Sequence, residues 1–279
     1  MQDGVLFINK PQGLTSRDVV NQVSKIYQTK KVGHTGTLDP LATGVLIICL
    51  GKYTKLVDEL TSSEKEYVAT MKLGIKTDTA DITGNIIEEK ESTISKKEIE
   101  VAFQKFPKEY TQTVPLYSAV KVNGKKLYEY AREKKEVQLP KRKVWIKNLE
   151  ILNIAKDTIT FKTTVSKGTY IRSLIEDLAK SFNEVATMQS LVRTKQGKIS
   201  IEDCIELDNL HRETSLKTLT DLFEYPKIEI DEETKRKVEN GNKLFLNTTE
   251  PKVFLTFHQT ILAIYEKQEN CYKMIFKVI

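Results

Sequence analysis

The chain has 279 residues, of which 39% are hydrophobic and 29% are charged, and its formal net charge is +6. This composition is typical of a folded globular protein, and the length leaves room for one large domain and a smaller one. The longest apolar run, residues 45–50, has the length of a strand, which argues against a membrane-spanning helix. The N-terminus lacks the basic and apolar regions of a signal peptide, so we expect a cytoplasmic protein.

The strands and helices predicted from hydrophobic periodicity alternate irregularly along the first two hundred residues. In chain order they are a strand over residues 4–9, a helix over 15–28, a glycine-rich loop over 33–44, strands over 45–50 and 67–73, a helix over 95–106, a short helix near 128–134, a strand over 158–165 and a helix over 170–182. Regular βαβ repetition is absent from this pattern. The predicted fold class is therefore α+β with a mixed, largely antiparallel sheet.

The last fifty residues have a different pattern. A boundary is predicted near residues 224–230, which divides the chain into residues 1–224 and a small β-rich module at residues 225–279. The module is predicted to contain a helix over residues 231–240 and strands over 243–246, 253–257, 261–266 and 272–278.

The cysteines and histidines are few and scattered. Cys49, Cys204 and Cys271 are odd in number and show no CxxC spacing, which argues against a disulfide framework and a zinc ribbon. The three histidines, His34, His211 and His258, are also scattered along the chain. The sequence therefore predicts that the protein works without a metal.

The positive charge is concentrated in residues 121–147. This segment contains ten Lys or Arg residues and three Glu residues, a surplus of seven, whereas the whole chain carries only +6. Such a concentration is expected of a surface that binds a polyanion. A solvated lysine-rich face is the ordinary alternative, and charge alone does not decide between the two.

The loop GHTGTLDPLATG at residues 33–44 contains the strongest candidate for a catalytic group. Its glycines permit unusual backbone conformations, and Pro40 restricts Asp39 to an extended conformation, which fixes the direction of the carboxylate. A tight structural turn and a phosphate cradle are the alternatives. Neither GxxxxGK[ST] nor GxGxxG occurs, which weakens the phosphate cradle, but a simple Asp-Pro turn stays open.

Further motifs accompany this loop in a fixed order. They are INKPQGLTS at residues 8–16, KEYVATMKLG at 65–74, TDTADITG at 77–84, VPLYSAVKVNGKKLYEYAR at 114–132 and SKGTYIRSLIEDL at 166–178. Together with GHTGTLDPLATGVL they resemble the bacterial tRNA pseudouridine synthase B family, which modifies the T-loop uridine at tRNA position fifty-five. The resemblance covers most of residues 1–200, and the C-terminal module lies where this family carries a PUA domain.

The resemblance implies an RNA-modifying isomerase that needs no cofactor, metal or guide RNA. Asp39 would attack the glycosidic bond of a flipped uridine, either at C1′ directly or through an elimination route. Arg172 would be the cation that favours the charged carboxylate, and Tyr67 would stack on the base. On pattern alone, Arg172 is a surface residue beside an apolar helix stripe, and Tyr67 is a core tyrosine of an alternating strand.

Other residues are implied to bind the tRNA T-stem-loop, and a basic insert at about residues 107–147 would grip its backbone. The implied residues are His34 beside the flipped nucleotide, Lys10 as a support of the loop or a phosphate contact, Tyr170 and Leu191 at the pocket wall, and Lys141, Arg142 and Lys143 on the backbone. Structural roles are the alternatives for His34 and Tyr170. A monomer is expected.

One segment departs from the family pattern. Many members read His-Leu-x-x-Leu-Arg-Arg-Thr where residues 187–194 read TMQSLVRT. Thr187 replaces the histidine and Val192 replaces one arginine, whereas Leu191 and Arg193 are kept, so different RNA contacts are expected there. Two other functions stay open: a non-catalytic RNA-binding or RNA-folding protein on the same scaffold, and a synthase that acts on another RNA.

Overall fold

The computed structural model describes residues 2–278 and contains a large sheet and a smaller one with helices packed on them. The helices are α1 (Ser16–Ile26), α2 (Val57–Thr61), α3 (Lys96–Lys105), α4 (Leu127–Arg132), α5 (Ile171–Ser181), α6 (Leu219–Leu222) and α7 (Glu232–Glu239). The strands are β1 (Gly4–Lys10), β2 (Val32–His34), β3 (Thr43–Leu50), β4 (Lys65–Leu73), β5 (Ile75–Thr77), β6 (Ile86–Glu89), β7 (Glu109–Thr113), β8 (Lys121–Val122), β9 (Lys125–Lys126), β10 (Lys141–Ile154), β11 (Thr158–Val165), β12 (Ala186–Gln196), β13 (Ile199–Ser200), β14 (Ile205–Glu206), β15 (Lys227–Glu229), β16 (Lys252–Phe257), β17 (Thr260–Gln268) and β18 (Cys271–Lys277).

The large sheet has the strand order β14-β1-β3-β12-β4-β11-β10-β7, with β2 paired to β3 and β13 paired to β12. Its ladders are antiparallel except for β1 with β14 and β12 with β3, which are parallel. The predicted α+β class with a mixed, largely antiparallel sheet is confirmed.

Both faces of the large sheet are covered at β1 and β3. Leu46, Ile48 and Leu50 of β3 join the core beneath α1 and α5, and the alternate residues Val45 and Ile47 face a second core. A strand that is buried on both faces needs apolar side chains at every position, which explains the unbroken apolar run at residues 45–50.

The predicted helices over residues 15–28, 95–106 and 170–182 are confirmed as α1, α3 and α5. Capping boxes formed by Thr15 with Asp18 and by Ser95 with Glu98 begin α1 and α3, and each satisfies backbone N–H groups that the first helical turn leaves free. The strand over residues 158–165 is confirmed as β11, and the short helix near 128–134 as α4.

The C-terminal module contains α7 and the sheet β15-β16-β17-β18. The strand expected over residues 243–246 is wrong: only Leu244 pairs, through an isolated bridge to Tyr272, and Phe245 is 83% exposed. Phe254 and Phe276 of the module pack in one core with side chains of β1 and β3. The division into residues 1–224 and 225–279 stays a prediction.

Candidate active site

The loop between β2 and β3 holds Asp39 in a fixed position. Leu38 is 3% exposed, and its backbone N–H donates to the Ser16 hydroxyl at 2.8 Å, while that hydroxyl lies 3.2 Å from the Leu38 carbonyl oxygen. On the other side, the Ala42 N–H donates to the Asp39 carbonyl at 3.1 Å. The start of α1 therefore anchors the residue that precedes the carboxylate.

The Asp39 carboxylate forms a two-point ion pair with Arg172, at the start of α5. Arg172 Nε lies 2.9 Å from one carboxylate oxygen, and an Nη nitrogen lies 3.3 Å from the other. The guanidinium also donates to the carbonyls of Thr79 and Tyr117, at 2.8 and 2.9 Å. The Arg172 side chain is only 5% exposed, whereas that of Asp39 is 33% exposed. The carboxylate is therefore accessible from outside, while the guanidinium that holds it is buried.

Lys10 also supports the loop that contains Asp39. Its side chain is fully buried, and its ammonium donates to the carbonyls of Leu14, Pro11 and Pro40 at 2.6, 2.8 and 3.5 Å. Burial lowers the pKa of Lys10 to about 8, although the nearby Asp39 carboxylate acts in the opposite direction. Of the two expected roles, this geometry favours support of the loop over contact with phosphate.

Raising the pH past about 8 is expected to slow the reaction, because the neutral Lys10 amine keeps only two N–H donors for three carbonyls. Above this pKa the single-turnover rate should fall by about tenfold per pH unit. Lys10→Arg should remove the fall, since its charge persists, whereas Lys65→Arg should keep it. A wild-type rate that is level to about pH 9.5 would contradict this role.

The effect of Lys10 on stability has the opposite pH dependence to its effect on the rate. In the unfolded chain Lys10 keeps its proton up to its ordinary pKa of 10.5. Because the folded state releases the proton at about pH 8, this group should raise the free energy of unfolding as the pH increases from about 8 to 10.5.

A cleft of about 500 Å³ opens in front of Asp39. This volume is within the usual range of small-molecule sites, roughly 300–1,000 Å³. Of the residues predicted from the sequence, the structure brings six to its walls: Asp39, Tyr67, Arg142, Tyr170, Arg172 and Leu191. Tyr67 and Leu191 belong to the paired strands β4 and β12 and form part of one wall.

The other predicted residues do not line this cleft. His34 is half-buried at the end of β2, and burial, with the nearby Arg17 and Arg193, lowers its pKa, so the ring is neutral at pH 7. Lys141 and Lys143 are exposed on β10, where strand alternation points them to the face opposite Arg142.

Several cleft residues were missed by the sequence analysis: Lys65, Tyr117, Ser118, Tyr128, Lys167 and Arg193. Arg193 is 1% exposed and donates to the carbonyls of Val45 and Gly36, at 2.6 and 3.2 Å, which fixes the loop at the start of β3. The Ser118 hydroxyl is buried and has no hydrogen-bond partner among the described residues. A signal was present for Lys65, because it lies in register with the inward-facing residues Tyr67 and Ala69 of β4, and a buried charge needs a specific partner.

The departure from the family pattern at residue 187 lies inside the protein. Thr187 is fully buried, and its hydroxyl lies 2.9 Å from that of Thr77, which in turn donates to the Asp81 carbonyl at 2.7 Å. The expected difference in RNA contacts therefore does not arise at this side chain. It supports instead the loop that offers the Thr79 carbonyl to Arg172.

Residues 2–278 contain no group of three or more His, Cys, Asp or Glu side chains placed to hold a metal ion. None of the helices in these residues has the length and hydrophobicity that a membrane crossing needs. All three cysteines are free thiols.

Comparison with known proteins assigns the family. The model described as "TruB family pseudouridylate synthase (N terminal domain)" matches residues 24–171, about half of the chain. The chain belongs to the TruB family. The TruB-family relative named tRNA pseudouridine synthase B in Clostridium kluyveri is 44% identical over 243 residues, which cover 86% of this chain and 84% of the relative. The protein of the same name in Bacillus pumilus is 41% identical over 293 residues, 99% of this chain and 94% of the relative.

A solved structure extends the similarity through the C-terminal module. The crystal structure of a Cbf5–Nop10–Gar1 complex contains a chain that is 25% identical, with a TM-score of 0.73, and the alignment covers 99% of this chain and 84% of that one. The architecture of this TruB-family member is thus shared over nearly its whole length.

Proposed function

We propose that this protein is a tRNA pseudouridine synthase that isomerises uridine 55 in the T-loop. The observation that carries the proposal is the Asp39 carboxylate, held at two points by Arg172 at the inner end of a cleft of about 500 Å³. The relatives named tRNA pseudouridine synthase B supply the RNA class. The two matched chains are similar in length to this one, which supports the same activity for the whole chain.

The chemistry requires one carboxylate and a pocket that retains the base. The bond between N1 of uracil and C1′ breaks, the uracil turns within the cleft, and a bond between C5 and C1′ forms while the C5 proton leaves and N1 gains one. Asp39 acts on the sugar, either by bonding to C1′ or through an elimination route. Arg172 holds the acid in position through two hydrogen bonds.

The walls of the cleft hold the extruded nucleoside. Tyr67 is 7% exposed and lines the cleft, and stacking on an aromatic face contributes about 1–3 kcal/mol per base. Its hydroxyl is the candidate for removal of the C5 proton. Tyr170 and Leu191 complete the wall, and the neutral ring of His34 stacks near the position that the flipped uridine leaves.

RNA binding is assigned to two further parts of the chain. The basic insert at about residues 107–147 grips the backbone of the T-stem-loop through Lys141, Arg142 and Lys143, and the PUA-like module at residues 225–279 adds contact area. We propose that the protein acts as a cytoplasmic monomer without guide RNA, since its own insert supplies the positive surface.

Replacing Lys141, Arg142 and Lys143 together by Ala should weaken tRNA binding and flatten its salt dependence. Three lost phosphate contacts should reduce the slope of log K against log salt by about three. The matched control removes three exposed lysines of α3, Lys96, Lys97 and Lys105, and should leave the slope unchanged. Equal slopes for both triple variants and the wild type would place the RNA elsewhere.

The test of the function is tritium release from C5-labelled unmodified tRNA, with mapping of the modified position. We expect pseudouridine at position 55 with no added metal, cofactor or guide RNA. A product at another position would indicate a synthase for a different site. Tight tRNA binding without tritium release would favour the non-catalytic RNA-binding alternative.

A further inference from the structure

The cleft contains more positive charge than its proposed occupant explains. Its charged lining residues are Lys65, Arg142, Lys167, Arg172 and Arg193 on the positive side and Asp39 on the negative side. Asp39 neutralises only Arg172, and no carboxylate of residues 2–278 forms a salt bridge with the other four. A uridine is neutral, so the surplus must meet another part of the substrate.

The four remaining cations differ in how their donors are used. Lys65 and Arg193 are 7% and 1% exposed, and both donate to backbone carbonyls, Lys65 at 2.6 Å from those of Thr61 and Ser63. Arg142 and Lys167 are exposed at the mouth of the cleft. Within residues 2–278, the only hydrogen bond of the Lys167 ammonium is a long one, 3.4 Å, to the Ser62 hydroxyl. The mouth thus holds the two cations that are available to a ligand.

Arg142 is placed there by the turn between β11 and α5. Gly168 in this turn has φ +83°, and a Cβ atom at this glycine would lie 3.3 Å from Arg142 Nη1. The guanidinium therefore packs against the bare backbone of the turn that also contains Lys167. The absence of a side chain at Gly168 leaves room for the guanidinium beside this turn.

We propose that Arg142 and Lys167 form a clamp for the backbone phosphate next to the flipped uridine, and that this clamp positions the nucleotide in front of Asp39. The inference rests on the proposed function and names the part of the RNA that the site reads. A guanidinium and an ammonium suit a phosphate, because the guanidinium offers two parallel donors and the ammonium a mobile charge. Phosphates are the groups that flank a nucleoside on both sides.

Lys96 provides a control for the clamp. It is an exposed lysine at the start of α3 and carries the same charge as Arg142, but it does not line the cleft. Loss of Lys96 should leave the rate at saturating RNA nearly unchanged, whereas loss of Arg142 should lower it.

The experiment measures single-turnover rates with T-stem-loop RNA in which each phosphate beside the target uridine is replaced in turn by a neutral methylphosphonate. On native RNA, Arg142→Ala and Lys167→Ala should each lower the saturated rate by about tenfold, and Lys96→Ala by less than about twofold. One methylphosphonate should slow the wild type and the Lys96→Ala variant by about tenfold, yet slow the Arg142→Ala variant no further.

The proposal would be overturned if the methylphosphonate, at each of the two positions, slowed Arg142→Ala as much as it slows the wild type. The effects of the side chain and of the phosphate would then be independent, and no contact would join them. Equal effects of Lys96→Ala and Arg142→Ala would also overturn it. Thermal unfolding of each variant identifies loss of fold, and Lys167→Ala repeats the test at a second residue. Inactivity of the wild type on native RNA would instead refute the proposed function, so the two failures are distinguishable.

Discussion

Asp39→Asn is expected to lower the single-turnover rate of pseudouridine formation by at least about 10³-fold. The amide has nearly the shape of the carboxylate, and its oxygen still accepts a hydrogen bond from Arg172, but it neither attacks the sugar nor stabilises positive charge on it. Tritium release from labelled tRNA under excess enzyme measures the loss.

Two comparisons separate chemistry from binding in this variant. Its affinity for tRNA should stay within a few-fold of the wild type, because the phosphate contacts are unchanged. Asp157→Asn removes an exposed carboxylate paired with Lys72 at the turn between β10 and β11, and it should keep the wild-type rate. Comparable turnover by Asp39→Asn and the wild type would rule out the proposed role. An Asp39→Asn protein that still promotes tRNA folding would reveal a second, non-catalytic activity.

Arg172→Lys is expected to reduce the rate by about 10²–10³-fold although it keeps the positive charge. The arginine joins three separate segments, because its donors reach Asp39, the Thr79 carbonyl and the Tyr117 carbonyl. A lysine ammonium is too compact to hold the carboxylate at two points and both carbonyls at once. The variant therefore tests geometry rather than charge.

Thermal unfolding and a double variant complete this test. If Arg172 acts through Asp39, then Arg172→Lys combined with Asp39→Asn should be no slower than Asp39→Asn alone, whereas independent roles would multiply the losses. A folded Arg172→Lys protein with the wild-type rate would show that the two-point ion pair is dispensable.

The elements predicted well from the sequence have strong local signals. The capping boxes at Thr15 and Ser95 and the apolar stripes that follow them define α1 and α3. The alternation that begins at Tyr67 matches the burial of every second residue of β4. In each case the signal is the hydrophobic periodicity of a single helix or strand that packs against one core. A short window of sequence contains this signal.

The elements missed by the sequence depend on distant partners. β12 lies between β3 and β4 in the large sheet, yet residues 186–196 include Arg193 and Gln196, which are both 1% exposed. Arg193 Nε and Gln196 Nε2 donate to carbonyls more than one hundred residues away. β10 is 14 residues long, and its N-terminal half was interpreted only as part of the basic segment. The hydrophobic pattern does not identify such strands, because the hydrogen-bond partners of their buried polar groups come close only in the folded chain.

The residues of the candidate site also differ in this respect: some have a local sequence signal, and others depend on a distant partner. Asp39 stands out locally through the proline that follows it, but its partner is 133 residues away, and only resemblance to a family connected the two. Arg142 could not be distinguished from Lys141 and Lys143 without the register of β10, which decides the residue that faces the cleft.

The most direct measurement is a crystal structure of the protein bound to a T-stem-loop RNA with 5-fluorouridine at the target position. We expect the fluorinated nucleoside to be flipped into the cleft, with its sugar against the Asp39 carboxylate, its base on Tyr67 and Arg172 still paired with the acid. A nucleoside that remains stacked in the RNA loop, or one bound where no atom of Asp39 contacts its sugar, would contradict the assignment of this carboxylate as the catalytic group.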